Sequence, residues 1–175
     1  MGDSFMTVIA MFVAVILMFI YPLLSLSERS DDISQTVVQT AASEFVDKAS
    51  IAGQIKPSDY YTFASEIGAT GNTFEIALEV QHIDENPGKK VVITSTDLIG
   101  ENVRYSTFTS EILEKLEAGE AYPLKKGDNI IVTVKNTNKT MAQMLRTTFY
   151  QVTGEGVTQV AASASSMVVN TGPAN

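Results

Sequence analysis

Twenty residues near the amino terminus, Phe5 to Leu24, are almost uninterruptedly apolar, and between Asp3 and Glu28 the phenol of Tyr21 is the one ionisable group. Wound as an α-helix at about 1.5 Å per residue, the stretch is about 30 Å long, the thickness of a bilayer's hydrocarbon core. Twelve of the twenty are Leu, Ile, Val or Phe, which favours insertion by on the order of 4–7 kcal/mol before the smaller penalties of Thr7, Tyr21 and Pro22. Pro22 falls near the end of the run, where the interface can hydrate the carbonyl that loses its partner. A cleaved signal peptide is the competing reading, with Ser25, Leu26 and Ser27 as a small-x-small cleavage site. The absence of Lys or Arg ahead of the run, and the run's length, favour a retained single-pass anchor. Arg29 is the basic residue nearest either end, so charge alone encodes orientation weakly.

Averaged over 175 residues, this segment explains a charged fraction of only 18% and a mean hydropathy of +0.10. The length suits one domain of ordinary size with an appendage. A net charge of −8 excludes nucleic acid as a main partner, because that affinity comes largely from neutralising phosphates. There is no Cys and a single His, so disulfides, thiolate nucleophiles and Cys-His zinc sites are excluded within the chain. No catalytic, metal or cofactor site is expected, and the chain does not read as an enzyme.

Within the anchor, Thr7, Ala10 and Ala14 share one helical face, a small-xxx-small arrangement that lets a neighbouring helix approach closely where lipid supplies no hydrophobic drive. Asp3 continues that face one turn earlier. It suits the start of a helix, through capping and the dipole, or pairing with a neighbour's amino terminus.

The helical pattern continues beyond the anchor. After the polar stretch SERSDD, apolar residues recur at Ile33, Val37, Ala41, Phe45, Ala49 and Ala52, flanked by Val38, Ala42 and Val46, and Gly53 follows as a stop. Anchor and stripe together predict one helix of roughly fifty residues, with a bend allowed at Pro22 or the acidic patch. Pro57 opens a short second helix whose Tyr60, Phe63, Ala64 and Ile67 share a face, closed by Gly68 and Gly71. From Thr73 to Ile83 the period changes to two, which predicts a half-buried strand; Asn86-Pro87-Gly88 then signals a turn into Val91-Val92-Ile93 as its antiparallel partner. Ser106 to Ala118 reads as a helix with Phe108, Ile112, Leu113 and Leu116 on one side. Asn129 to Asn136 reads as a strand, Thr140 as the cap of a helix carrying Met141, Met144, Leu145 and Phe149, and Val157 to Val169 as a strand rich in small residues. Small side chains on a sheet let a helix lie close, so the lower part of the first helix is the expected cover for this last strand.

Chemistry-bearing motifs are sparse. His82 falls in the apolar register of its strand, and its neighbours Asp84 and Glu85 make a poor metal signature. Asp31-Asp32 and Glu114-Glu117 read as solvated faces, with no EF-hand pattern. Gly68 to Asn72 lacks the Lys of a phosphate loop. Met141, Met144 and Phe149 read as core side chains.

A membrane helix that runs on into an amphipathic half covering a small antiparallel sheet resembles the pilins and pseudopilins, most of all the TadE-type minor pseudopilins of tight-adherence pilus systems. The resemblance rests on Phe5 to Gly53, on the strand Thr73 to Ile83, and on the strands Asn129 to Asn136 and Val157 to Val169 around a helix. It implies an α+β, pilin-like fold divided into a short tail (1–4), a transmembrane helix (5–27), its amphipathic extension (28–53), an α+β domain (54–170) and a tail (171–175). It also implies a structural or assembly subunit of a surface filament or secretion machine, in the cell membrane with its domain extracytoplasmic, whose partners are lipid, further pilin-like or platform membrane subunits, and copies of itself. The acidic position of that class, counted from Gly2 as a leader end, falls on Thr7, and Asp3 is the nearest acid. A membrane-tethered extracytoplasmic binding or sensor module is the alternative.

Because the apolar excess is concentrated ahead of Ser30, a chain shortened to begin there is expected to be soluble and to melt cooperatively without detergent. Aggregation or a coil-like circular dichroism spectrum would count against a separate domain.

Overall fold

The computed structural model describes residues 2–83, 104–150 and 161–172, with the side chains of all of these except 2, 3, 146 and 148–150. The fold is α+β: among the described residues, one long helix and three short ones stand around a small antiparallel sheet. Helix α1 spans Gly2–Ala52 and contains Pro22. Its helical assignment is unbroken at that proline and through SERSDD, so the helix also takes in positions 2–4, where a tail was expected. It stops at Gly53, whose φ of +66° is the left-handed conformation that ends helices and favours glycine.

Then follow β1 (Gln54–Ile55), α2 (Pro57–Gly68), β2 (Phe74–Ile83), β3 (Arg104–Phe108), α3 (Thr109–Glu117), β4 (Tyr122–Pro123), β5 (Asn129–Asn136), α4 (Met141–Tyr150) and β6 (Ala161–Met167). The main sheet is antiparallel throughout in the order β3-β2-β5-β6, and β1 pairs separately with β4. Its register aligns Ile76 with Val134 and Ala162, Leu78 with Val132 and Ala164, and Val80 with Ile130 and Ser166. These rows turn one face to the core, and the alternate residues, such as Glu75, Thr133 and Ser163, turn to solvent.

Helix α1 lies on β5 and β6. Val38, Ala42, Val46 and Ala49 are buried against the small side chains of Ala162 and Ala164, within one core cluster that also takes in Leu78, Val132, Ile112 and Leu116. The helix guards the edge of the sheet as well. Gln35 donates to the Ala161 carbonyl (2.6 Å) and accepts from its N–H (3.3 Å), and Gln39 donates to the Ser163 carbonyl (3.1 Å). An edge strand's outward backbone groups are a template for unwanted pairing, and two glutamines occupy them here.

The bonds Gln35 to Ala161, Ser50 to Ser166 and Asn170 to the Ile51 carbonyl show that β6 runs in the same direction as α1. It follows from the antiparallel register that Phe74, Asn136 and Ala161 lie at the lower end of the domain, where α1 enters. Ile83, Asp128 and Val168 lie at the upper end.

Several sequence expectations are corrected. The helix after β3 begins at Thr109 and not at Ser106, because Ser106 to Phe108 pair with Glu79 to Gln81 and the Thr109 hydroxyl holds both the N–H (2.8 Å) and the carbonyl (3.1 Å) of Leu78. Phe108 is therefore exposed, while Ile112 and Leu116 are buried as expected. Val91 to Ile93, Asp84, Glu85 and Val157 to Val160 lie outside the described residues. Thr171 and Gly172 are not a loose tail: Thr171 accepts the Lys126 N–H (3.3 Å), and Gly172 donates to Leu124 (3.1 Å), which in turn donates to Gly53 (2.9 Å). A Cβ on Gly53 would meet the Gly172 Cα at 2.8 Å, so the carboxy-terminal segment crosses the end of α1 backbone against backbone.

The expected stripe of α1 divides between two neighbours. Ala41, Phe45 and Ala49 are buried, Val37 and Ala52 are half-buried, and Ile33 is 58% exposed because it lies on the flank away from the sheet. Phe45 packs on α2, stacked on Phe63 with centroids 4.9 Å apart and edge-on to Tyr60 at 6.4 Å. Phe45→Asp is expected to lower the stability of the domain by about 3 kcal/mol or more, since it puts an unpaired charge between two helices and removes an aromatic stack. A thermal melt that does not move would show that α2 does not need this contact.

Candidate functional site

From Ser4 to Phe19 every residue of α1 is exposed. Phe12, Met18 and Phe19 show 70%, 76% and 67% of their surfaces, far beyond the isolated apolar residues of an ordinary surface. Thr7, Ala10 and Ala14 stand exposed on one face of this half, and the Asp3 backbone continues the helix one turn earlier, its side chain outside the described residues. α1 is long and apolar enough to cross a membrane. A backbone whose hydrogen bonds close within the helix is what a span requires.

Where the helix meets the domain, Leu23, Leu26, Ser27, Ser30, Asp31, Thr70, Gly71, Asn72, Thr140 and Met141 line an open groove of about 360 Å³. Asp31, expected as one of a solvated pair, accepts a 2.6 Å bond from the Thr140 hydroxyl. Thr140 is at the same time the cap of α4: its hydroxyl accepts the Gln143 N–H (3.3 Å), and the Gln143 side chain accepts the Thr140 N–H (3.2 Å). This reciprocal box satisfies two of the donors that a helix start leaves open, and Asp31 adds a negative charge where the helix dipole favours one. Beside it, Asn138 Oδ1 accepts the Thr73 N–H (2.9 Å), and Thr73 accepts the Thr137 N–H (2.9 Å), tying the loops at the lower end of the sheet together. Met141 and Met144, expected in the core, are 62% and 49% exposed on α4; Ala142 and Gln143 are the buried residues of that turn.

The upper end holds the titratable cluster. His82 is buried on β2, with Nδ1 at 2.8 Å from Asp128 Oδ2 and Nε2 at 3.0 Å from the Tyr122 hydroxyl. A carboxylate only accepts, so in the neutral ring Nδ1 carries the proton and donates to Asp128, and Nε2 accepts a hydrogen bond from the Tyr122 hydroxyl. Burial pushes the Tyr122 phenol above its ordinary pKa and keeps it the donor, against a smaller opposing effect of its hydrogen bond with Thr107. Asp128 Oδ2 also accepts the Lys125 N–H (2.8 Å), and the Asp128 carbonyl accepts the Val168 N–H (2.8 Å). The imidazole thus ties β2 to β4 and to the turn before β5, and the Asp128 backbone carries the tie on to Val168, just past β6. An Asp-His-Tyr row has the look of a proton relay, but here both ring nitrogens are committed to buried protein groups. Sequence could place His82 in its strand, yet Tyr122 and Asp128 are 40 and 46 positions away, and no local pattern links them. Among the described residues, no group of three or more His, Asp or Glu side chains is disposed to hold a metal ion.

Compared with protein families, curated proteins and solved structures, the chain finds no match.

His82→Leu is expected to cost about 2–4 kcal/mol, because the Asp128 carboxylate is left buried with one ring donor fewer and Tyr122 loses its acceptor. Urea unfolding of the chain begun at Ser30 measures it. A midpoint equal to that of the parent would mean that the clasp is not a determinant of stability.

Proposed function

We propose that the protein is a structural or assembly subunit of a pilus-like surface filament or secretion machine, similar in plan to the TadE-type minor pseudopilins, with Phe5 to Leu24 retained in the cell membrane and the domain on its extracytoplasmic side. One observation carries the reading. The exposed apolar half and the buried amphipathic half belong to a single 51-residue helix, whose second half is an inseparable part of the domain core.

A tether needs only length and apolarity and is commonly joined to its domain by a flexible linker. A helix continuous from bilayer to core fixes the domain's height and heading relative to the membrane, as a subunit that must register with its neighbours requires. The small face of Thr7, Ala10 and Ala14 supplies a surface for close helix packing. Gln35 and Gln39 on the edge of β6 suit the same role, since they direct association to the helix and away from the sheet.

Ala10→Ile combined with Ala14→Ile tests the reading. Both changes keep the segment at least as apolar, so the protein should remain in the membrane fraction at its normal level. Crosslinking to itself or to partner subunits should fall, along with any surface filaments. Crosslinking and filaments at parental levels would remove the proposed packing face and favour the tethered binding or sensor module.

A further inference from the structure

We infer that α4 is a membrane-docking element: its exposed Met141 and Met144 face, with Leu23 and Leu26 beside it, seats the lower end of the domain on the headgroup layer of the lipid bilayer. The inference rests on the reading of Phe5 to Leu24 as a retained span and adds a second point of membrane contact.

The topology places α4 there. β5 ends at Asn136 and β6 is taken up at Ala161, both at the end where α1 enters the domain. The start of α4 is fixed to α1 by the bond between Thr140 and Asp31. Asp31 is seven residues beyond Leu24, a rise of about 10 Å, which brings the α4 cap to the depth of the polar headgroups once Leu24 marks the edge of the hydrocarbon. Met141 lines the same groove as Leu23, which belongs to the apolar run itself. A surface-exposed methionine within reach of the span's last turn is at the boundary between acyl chains and headgroups.

The exposed pattern of α4 is that of an interfacial helix. Met141, Met144 and Thr147 recur at intervals of three along the exposed side, and Ala142 and Gln143 turn inward. The charges around α4 are mixed. In a chain with 20 acidic and 12 basic residues, the stretch from Asn129 to Gly154 has no acid and carries Lys135, Lys139 and Arg146. Lys135 and Lys139 are exposed toward the lower end of the sheet, where Glu75, paired across from Lys135, and Glu28, Asp31 and Asp32 of α1 offset them. Apolar contact at the boundary between acyl chains and headgroups is therefore what seats the helix, and the balanced charges around it lie in the polar headgroup layer.

The absence of cysteine makes the test clean. The full chain is reconstituted into vesicles of mixed phosphatidylcholine and phosphatidylglycerol, with a single cysteine introduced as Met141→Cys, Met144→Cys, Phe12→Cys or Glu114→Cys and labelled with an environment-sensitive fluorophore. Nitroxide-bearing lipids should quench the labels at 141 and 144 at least about threefold more than the label at 114, with shallow nitroxides more effective than deep ones. The label at 12 should be quenched best by deep nitroxides.

If 141 and 144 behave like 114 while 12 is quenched, the docking is wrong and the span stands. If 12 is not quenched, the span fails and the docking with it. Labels at 141 and 144 that are shielded from aqueous iodide yet untouched by lipid nitroxide would also overturn the proposal, since the face would then be covered by protein.

Discussion

Packing of the α1 stripe on the small-residue face of β6 and its neighbour is the contact on which the rest of the structure depends. Ala and Val on the helix meet Ala and Ser on the strand, so the helix axis can sit close to the sheet and remain parallel to β6 over several turns. Larger residues on either side would lift the helix away and open the core. Once α1 is seated, its other flank is free for α2, and the Phe45 and Phe63 rings fill the angle between the two helices. The helix also satisfies backbone groups of β6 through Gln35 and Gln39, so one element covers both a face and an edge of the same strand.

Because this contact is made by the continuation of an apolar helix, the two halves of the molecule are mechanically one. Pro22 removes one backbone donor near the junction, and the helix nonetheless carries on into the domain. At its far end Gly53 gives way to a backbone crossing with Gly172, and Leu124 bridges the two. The helix is therefore held along its flank by apolar packing, at its carboxy-terminal end by backbone hydrogen bonds, and at the entry to the domain by the Asp31 and Thr140 side chains. A domain so restrained cannot swing freely about the exposed apolar half of the helix.

Polar groups are sorted between the ends of the sheet. The upper end is closed by the His82, Tyr122 and Asp128 clasp, in which buried donors and acceptors satisfy one another. The lower end is finished with Thr and Asn bonds and with the capping box of α4. Asn136, at the lower end of β5, stands apart: its side-chain amide is buried and has no partner among the described residues, an arrangement that costs stability.

The periodicities alone determined much of this protein. An almost unbroken apolar run of twenty residues, a stripe at helical spacing as far as Gly53, the alternation after Thr73 and the small residues around Ala162 and Ala164 determined a long helix, a half-buried strand and the surface that the helix covers, because each is a local pattern whose burial has few solutions. Local pattern was insufficient where two elements compete for a residue. Phe108 fits a helix stripe, yet pairing with Glu79 made it the end of a strand; Met141 and Met144 are spaced like core residues, yet α4 turns Ala142 and Gln143 inward; Asp31 reads as solvated until Thr140 arrives from more than a hundred residues away. The clasp around His82 belongs to the same class. Tertiary structure decided these because a side chain's environment is set by what the fold brings against it, and hydrogen bonds between residues 40 to 109 positions apart leave no periodic trace in the chain.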